Sequence, residues 1–182
     1  MPELDDFILR PMDTDDVDRV RRWRNLEHVK AYMFTDDDIG EDEHKSWFDL
    51  ILLSDDADYQ IVEYQKNPIG LANAVKINHI SKSCSWGFYI AETGCPKGSG
   101  TTLALLMLEH IFTAYPVHTI YAEVFEFNIA SLKLHEKLGF KPVLELARTA
   151  EKNGKDENVI AISLSRDDWH TIKPLLLKTL NS

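Results

Sequence analysis

Hydrophobic and polar positions recur along this chain with two different periods. Apolar residues stand three or four positions apart in residues 13–25 and 41–53, as on one face of an amphipathic helix. Asp13 or Thr14 is suited to cap the first of these helices. The second helix is predicted to bury a face made of Trp47, Phe48, Leu50 and Ile51.

Other segments are short and rich in β-branched and aromatic residues, which indicates strands. The predicted strands cover residues 7–12, 59–64, 69–77, 84–91, 119–125 and 157–165. The second and third of them are joined by Gln-Lys-Asn-Pro, a turn signal that is typical of a hairpin.

Three more helices are predicted in the second half of the chain, at residues 101–115, 128–139 and 167–179. Gly139 ends the middle one at a C-cap position. Strands joined by hairpins are thus followed by strands that alternate with helices. This order predicts an α/β or α+β fold with helices on both faces of the sheet.

Length and charge narrow the possible functions. A chain of 182 residues with 44% hydrophobic content can enclose a full core, so we expect one domain covering residues 1–182. The formal net charge of −10 argues against a nucleic-acid partner. Cys84 and Cys95 lack metal or redox spacing, residues 1–10 lack the pattern expected of a secretory leader, and no apolar run approaches membrane-spanning length. A cytoplasmic protein without a membrane segment is therefore expected.

Two acidic runs, at residues 15–18 and 36–43, lack the spacing of a calcium-binding loop. We interpret them as charges at helix starts, and we expect no metal site.

A loop with Gly94, Gly98 and Gly100 lies between a predicted strand and a predicted helix. Glycines allow several backbone N–H groups to face one side, and the helix adds its own free N–H groups and the positive end of its dipole. Such a corner suits a phosphate or pyrophosphate, although a plain strand-to-helix turn can carry the same glycines. The spacing matches neither a Walker loop nor a dinucleotide fingerprint.

Two blocks near this loop resemble the GNAT superfamily of N-acetyltransferases. Residues 95–100, Cys-Pro-Lys-Gly-Ser-Gly, resemble the Q/R-x-x-G-x-G/A loop that binds the pyrophosphate of acetyl-CoA, except that Cys95 replaces Gln or Arg. Residues 128–141 resemble the N-x-x-S/A…Y-e-k-x-G-F block, with His135 where a Tyr is frequent. The resemblance implies a mixed, mostly antiparallel sheet, whose strands at 85–90 and 119–124 splay apart. It also implies direct acetyl transfer from acetyl-CoA.

The resemblance further implies where the reactants bind and react. Acetyl-CoA is expected to contact Phe88, Tyr89, Ile90, Lys97, Gly98, Ser99, Gly100, Thr101, Asn128 and Ser131. His135 is the candidate proton donor to the departing thiolate. His44, His79 and Glu123 are candidate bases for the amine, with ordered water as the alternative.

Segments across residues 7–169 together resemble one branch, the nucleotide-sugar N-acetyltransferases of pseudaminic acid biosynthesis. This implies the C4 amine of UDP-4-amino-4,6-dideoxy-N-acetyl-β-L-altrosamine as acceptor. The expected acceptor-site residues are Arg24, Met33, Phe34, Trp47, Phe48, Lys76 and Tyr89. The acidic charge fits a cationic acceptor better, so a polyamine or a protein N-terminus is one alternative. A non-catalytic acyl-CoA-binding domain is another.

Overall fold

The structure, a computed structural model, describes residues 4–180, and side chains through residue 178. Within these residues an eight-stranded sheet forms the centre, in the order β1-β2-β3-β4-β5-β8-β6, with β7 paired to β8. Only β4 and β5 are parallel among the described strand pairs. The strands are β1 (Phe7–Pro11), β2 (Ala57–Tyr64), β3 (Asn67–Asn78), β4 (Ser83–Ile90), β5 (Thr119–Phe125), β6 (Lys141–Pro142), β7 (Arg148–Lys152) and β8 (Lys155–Ser165).

Helices lie on both sides of this sheet. They are α1 (Val17–Arg24), α2 (Glu27–Lys30), α3 (Glu41–Leu52), α4 (Ser99–Ala114), α5 (Ile129–Lys137) and α6 (Arg166–Leu180). Short 3-10 turns cover Leu4–Asp6, Thr14–Asp16 and Leu144–Leu146. No helix in residues 4–180 combines the length and apolar character needed to cross a membrane.

Alternating side chains of the strands build two separate cores. In β2, Ile61 belongs to a cluster with α1 and α3, whereas its neighbour Val62 belongs to a larger cluster with α4 and α6. The two residues point to opposite faces because side chains alternate along a strand. Trp23 from α1 and Trp169 from α6, both fully buried, anchor the two cores.

The parallel strands β4 and β5 stay together for only three residue pairs. Ser83, Cys84 and Ser85 pair with Thr119, Ile120 and Tyr121, and the described strands form no further pair beyond them. The other edge of β4 is paired with β3, and the other edge of β5 with β8. The facing edges beyond Ser85 are therefore free, which confirms the predicted splaying and opens a cleft.

The fold class is confirmed: the sheet is mixed, mostly antiparallel and flanked by helices. The predicted burial of Leu50 is wrong, because 70% of this residue is exposed. His44 and Phe48, four residues apart, form the buried face of α3 at 2% and 1% exposure, and Leu50 lies about 200° around the helix from Phe48. The short elements α2, β6 and β7 have no counterpart among the predicted ones.

Candidate active site

A cavity of about 1330 Å³ opens where β4 and β5 separate. Its walls include α1, α3, the strands β3 to β5, β7, and residues 32–39, which we call the strap. A second cavity of about 300 Å³ lies along the end of β4, between α2 and the start of α5. Six residues line both cavities: Tyr32, Met33, Phe88, Tyr89, Asn128 and Ser131. The two spaces therefore meet on the wall formed by β4 and α5.

The glycine loop turns sharply into α4. Gly98 has a φ of 101°, a left-handed conformation that other residues rarely adopt. The N–H groups of Ser99 and Thr101 donate to carbonyls inside the loop, at 3.1 Å to Pro96 and 2.9 Å to Gly98. Within the described residues, the N–H groups of Gly98 and Gly100 have no backbone acceptor. Two of the four groups expected to hold the pyrophosphate are thus available.

Only part of the expected cofactor set reaches the walls of the smaller cavity. Phe88, Tyr89, Ile90, Gly100, Asn128 and Ser131 do so, whereas Lys97, Gly98, Ser99 and Thr101 do not. The Ser99 side chain is buried and donates to the Pro96 carbonyl at 2.7 Å. The Asn128 side-chain oxygen accepts from the Ser131 N–H at 3.2 Å, so Asn128 also caps α5.

His135 lies in the core rather than in the cleft. It is 4% exposed and lies between aromatic rings, with centroid distances of 4.9 Å to Phe140 and 5.4 Å to Trp86. Its Nδ1 is 2.8 Å from the Ser131 carbonyl oxygen, to which it donates in the matching tautomer. Burial lowers the pKa of His135. Because His135 belongs to the wall of neither cavity, the predicted proton transfer lacks geometric support.

Glu123 lines the larger cavity but is already paired. Arg148 donates to both of its carboxylate oxygens, at 2.7 and 2.9 Å, and lies 5.0 Å from the centroid of the Phe34 ring. These hydrogen bonds from Arg148 lower the pKa of Glu123. A carboxylate stabilised in its charged form is a weak base, so the pairing opposes the predicted role.

His44 is the candidate base whose side chain remains available. It lines the larger cavity, lies 5.0 Å from the Trp47 ring, and is 2% exposed. Its Nε2 is buried without a hydrogen-bond partner among the described residues. Burial lowers the pKa of His44, which a hydrogen bond to the Val17 backbone partly offsets. The imidazole is therefore neutral near pH 7.

Most of the expected acceptor-site residues line the larger cavity: Arg24, Met33, Phe34, Trp47, Lys76 and Tyr89. Phe48 does not, because it is 1% exposed within the core under α3. Lys76 lies at an irregularity in β3 and has a φ of 54°. Arg24 donates to the Thr35 hydroxyl at 3.3 Å. The aromatic residues Tyr32, Tyr59, Tyr121 and Phe125 also line this cavity, and none of them was among the expected acceptor-site residues.

The strap makes one wall of the cavity strongly acidic. Six carboxylates line the cavity against three basic side chains, Arg24, Lys76 and Arg148. The six are Asp36, Asp37, Asp38, Glu43, Glu123 and Glu151. Of the acidic run at residues 36–43, Glu41, Asp42 and Glu43 lie in the first turn of α3, as expected for helix-start charges. Asp36, Asp37 and Asp38 precede the helix and line the cavity instead.

Lys152 holds the strap in place from the distant β7–β8 hairpin. Its ammonium group donates to the carbonyls of Lys30 and Met33, at 3.0 and 2.7 Å, and pairs with Asp36 at 2.5 Å. The backbone N–H of Asn153 also donates to Asp36, at 2.7 Å. Lys152 is 4% exposed, so these contacts satisfy a charge that burial would otherwise destabilise.

The part of the chain that the structure describes contains no cluster of side chains suited to bind a metal ion. No group of three or more His, Cys, Asp or Glu side chains there could hold an ion.

Comparison with known proteins identifies the family. The family model for the acetyltransferase (GNAT) domain matches residues 6–141. The chain belongs to this family. It is thus an enzyme, an N-acetyltransferase that uses acetyl-CoA as co-substrate and a small-molecule amine as acceptor.

Two curated relatives are spermidine N(1)-acetyltransferases. The one from Escherichia coli strain K12 is 26% identical over 175 residues, covering 93% of this chain and 91% of the relative. The one from Vibrio cholerae is 28% identical over 155 residues, covering 84% and 89%. A crystal structure of the Vibrio cholerae spermidine N-acetyltransferase with CoA and spermine has a TM-score of 0.85 at 24% identity, covering 91% of this chain and 99% of that one. At this identity the structural match establishes the shared fold.

These relatives contradict the acceptor expected from the sequence. The assignment to the nucleotide-sugar branch, with its UDP-linked amino sugar, is wrong, because the relatives act on spermidine.

Proposed function

We propose that the chain transfers the acetyl group of acetyl-CoA to an amine of a polyamine of the spermidine class. The observation that carries this proposal is the excess of carboxylates over basic side chains in the larger cavity. Polyamines are cationic at neutral pH, so an acidic cavity lowers their free energy of binding. The two spermidine acetyltransferase relatives support the same acceptor class.

Ion pairing within the protein separates the six carboxylates into two groups. Asp36 pairs with Lys152, Asp38 with Lys30 and Glu123 with Arg148. Asp37, Glu43 and Glu151 have no ion pair among the described residues, and all three are exposed. We assign these three as the groups that receive the substrate ammonium groups.

The cavity also offers apolar and aromatic surface for the methylene segments between the amines. Phe34 and Phe125 pack at 4.8 Å between centroids, and Trp47 and Tyr59 at 5.3 Å. Aromatic faces attract ammonium groups as well, by about 0.5–1 kcal/mol at exposed sites.

The amine must lose a proton before or during attack. We assign this proton to His44, because the residue lines the larger cavity and its neutral imidazole has an unpartnered Nε2. Acetyl-CoA lies in the smaller cavity in this proposal, with its pyrophosphate on the free N–H groups of Gly98 and Gly100. That the chain is one domain from residue 1 to 182, and that it is cytoplasmic, stay predictions from its sequence.

An acceptor panel tests the proposal. Purified protein with acetyl-CoA is offered spermidine, spermine and an N-terminal peptide, and acetylated products are counted by mass spectrometry. We expect monoacetylated polyamine and falling activity as salt is raised, because salt screens the exposed carboxylates. Acetylation of the peptide without acetylation of either polyamine contradicts the proposal.

Charge-removing variants test the cavity assignment. Glu43→Gln or Glu151→Gln should raise the KM for spermidine roughly two- to fivefold, because exposed ion pairs contribute about 0.2–1 kcal/mol each. The matched control is Asp55→Asn, an exposed carboxylate outside both cavities. An equal KM change in the control shows that overall charge, and not the cavity, governs binding.

A further inference from the structure

The two cavities must meet where the reaction occurs, because the thioester and the amine have to come within bonding reach. Six residues line both spaces, and four of them carry side-chain polar groups: Tyr32, Tyr89, Asn128 and Ser131. A side chain that contacts the acetyl carbonyl from the shared wall has to be one of these four; otherwise a backbone amide or water makes that contact.

Three of the four polar groups have other partners or face solvent. The Asn128 side chain caps α5 through the Ser131 N–H, and the Ser131 hydroxyl lies 3.3 Å from His135 Nδ1. Tyr32 is 49% exposed. The Tyr89 hydroxyl differs, because it is buried and has no hydrogen-bond partner among the described residues.

A buried hydroxyl without a hydrogen-bond partner is energetically unfavourable unless a bound ligand supplies that partner. Burial is the largest effect on the pKa of Tyr89 and raises it; the charge of Arg24 lowers it, and the nearby Tyr59 phenol raises it. Tyr89 therefore keeps its proton throughout the neutral and mildly alkaline range. It can donate a hydrogen bond but is too weak an acid to surrender the proton to a thiolate, whose pKa is about 8.5.

We propose that the Tyr89 hydroxyl donates a hydrogen bond to the acetyl carbonyl oxygen of acetyl-CoA and stabilises the negative charge that develops there. The amine nitrogen forms a bond to the carbonyl carbon, and the carbonyl π electrons move to the oxygen that Tyr89 contacts. An electron pair on that oxygen then re-forms the carbonyl double bond, the C–S bond breaks, and its electron pair leaves with the thiolate. Tyr89 keeps its proton, the amine proton leaves to His44 or solvent, and solvent protonates the thiolate.

This role differs from the one first expected for His135. A histidine that protonates the thiolate gives activity that falls as pH rises through the pKa of that histidine, whereas a tyrosine that keeps its proton gives a constant contribution. Tyr89 is the better candidate on geometry, because Tyr89 lines both cavities and His135 lines neither.

The test compares Tyr89→Phe with wild type by steady-state kinetics at pH 6.5 to 9.5, using spermidine, and so rests on the proposed acceptor. Because the variant removes one hydrogen-bond donor to the oxyanion, we expect kcat to fall about 10²-fold. The factor should be the same at each pH, and the KM values for acetyl-CoA and spermidine should not change. The urea midpoint should stay equal or rise, because the variant removes an unpartnered hydroxyl. Tyr64→Phe, in β2 and outside both cavities, is the matched control with wild-type kcat.

An unchanged kcat, a change confined to either KM, or an equal loss in Tyr64→Phe overturns the proposal. If wild type fails to acetylate spermidine, the proposed acceptor fails, and the same variants are compared by slow hydrolysis of acetyl-CoA, with water as acceptor. A Tyr89→Phe defect in hydrolysis then supports the role of Tyr89 independently, and wild-type hydrolysis overturns it.

Discussion

The position of β4 depends on a glycine in the neighbouring strand. Gly70 in β3 pairs with Ile90, and a Cβ added at Gly70 would lie 2.2 Å from the Tyr89 carbonyl oxygen and 3.0 Å from the Ile90 Cα. Cβ atoms essentially never approach other atoms closer than 3.0 Å, so Gly70→Ala must push the two backbones apart by about 1 Å. The displaced segment is the wall that both cavities share.

The size of this shift sets the expected effects. Overpacking of this kind destabilises proteins by about 1–3 kcal/mol, which a domain of ordinary stability survives. Misplacing a reacting group by about 1 Å costs about 10²-fold in rate. Gly70→Ala should therefore fold and lose activity much more than stability.

Urea denaturation gives the stability of this variant, and release of free CoA gives its kcat/KM. Gly40→Ala serves as the control, because a Cβ there meets no atom within 4 Å and Gly40 lines neither cavity. A folded Gly70→Ala protein with kcat/KM within twofold of wild type would refute the claim that Gly70 sets the cleft wall.

Three further changes test other parts of the molecule. Gly98→Ala places a Cβ on a residue with a φ of 101°, which should lower the free energy of unfolding in urea by about 1–2 kcal/mol. Calorimetry should also show weaker CoA binding, and an unchanged CoA affinity would contradict the proposed pyrophosphate site in this loop. Lys152→Met removes the ammonium group that binds Asp36 and the strap carbonyls, so it should lower the urea midpoint and kcat/KM for spermidine. A wild-type midpoint would show that the strap holds without Lys152. Burial raises the pKa of Asp58, but hydrogen bonds from His110, at 2.6 Å, and two other side chains outweigh this and lower it. The ionised Asp58 carboxylate therefore stabilises the folded protein above about pH 4, and this stabilisation is lost as pH falls through the folded pKa. Urea midpoints measured from pH 3 to 7 should show this acid loss in the wild type, and Asp58→Asn should lack it.

Local patterns predicted most of the framework because each depends on residues close in sequence. The alternation in residues 119–125 gave β5 at its observed bounds, and Gly139 ends α5 with a φ of 91°. The β7–β8 hairpin had an equally local signal that the analysis missed. Asn153-Gly154 is a typical two-residue hairpin turn, and both residues have positive φ.

The candidate site was less predictable because it depends on contacts between distant segments. The strap faces the cavity because Lys152, more than 100 residues away, holds the backbone at Lys30 and Met33. The burial of His135 depends on the rings of Trp86 and Phe140, which reach it from β4 and the end of α5. A sequence motif gives the position of such a residue in its helix but not the space that its side chain enters.

The most direct test of the account is a crystal structure of the protein with CoA and spermidine. We expect the CoA pyrophosphate at the N–H groups of Gly98 and Gly100 and the CoA sulfur at the cavity junction beside Tyr89. The spermidine ammonium groups should lie within about 4 Å of carboxylates among Asp37, Glu43 and Glu151. CoA bound outside the cleft between β4 and β5 would contradict the account. So would spermidine bound away from the strap, with a different molecule in the larger cavity.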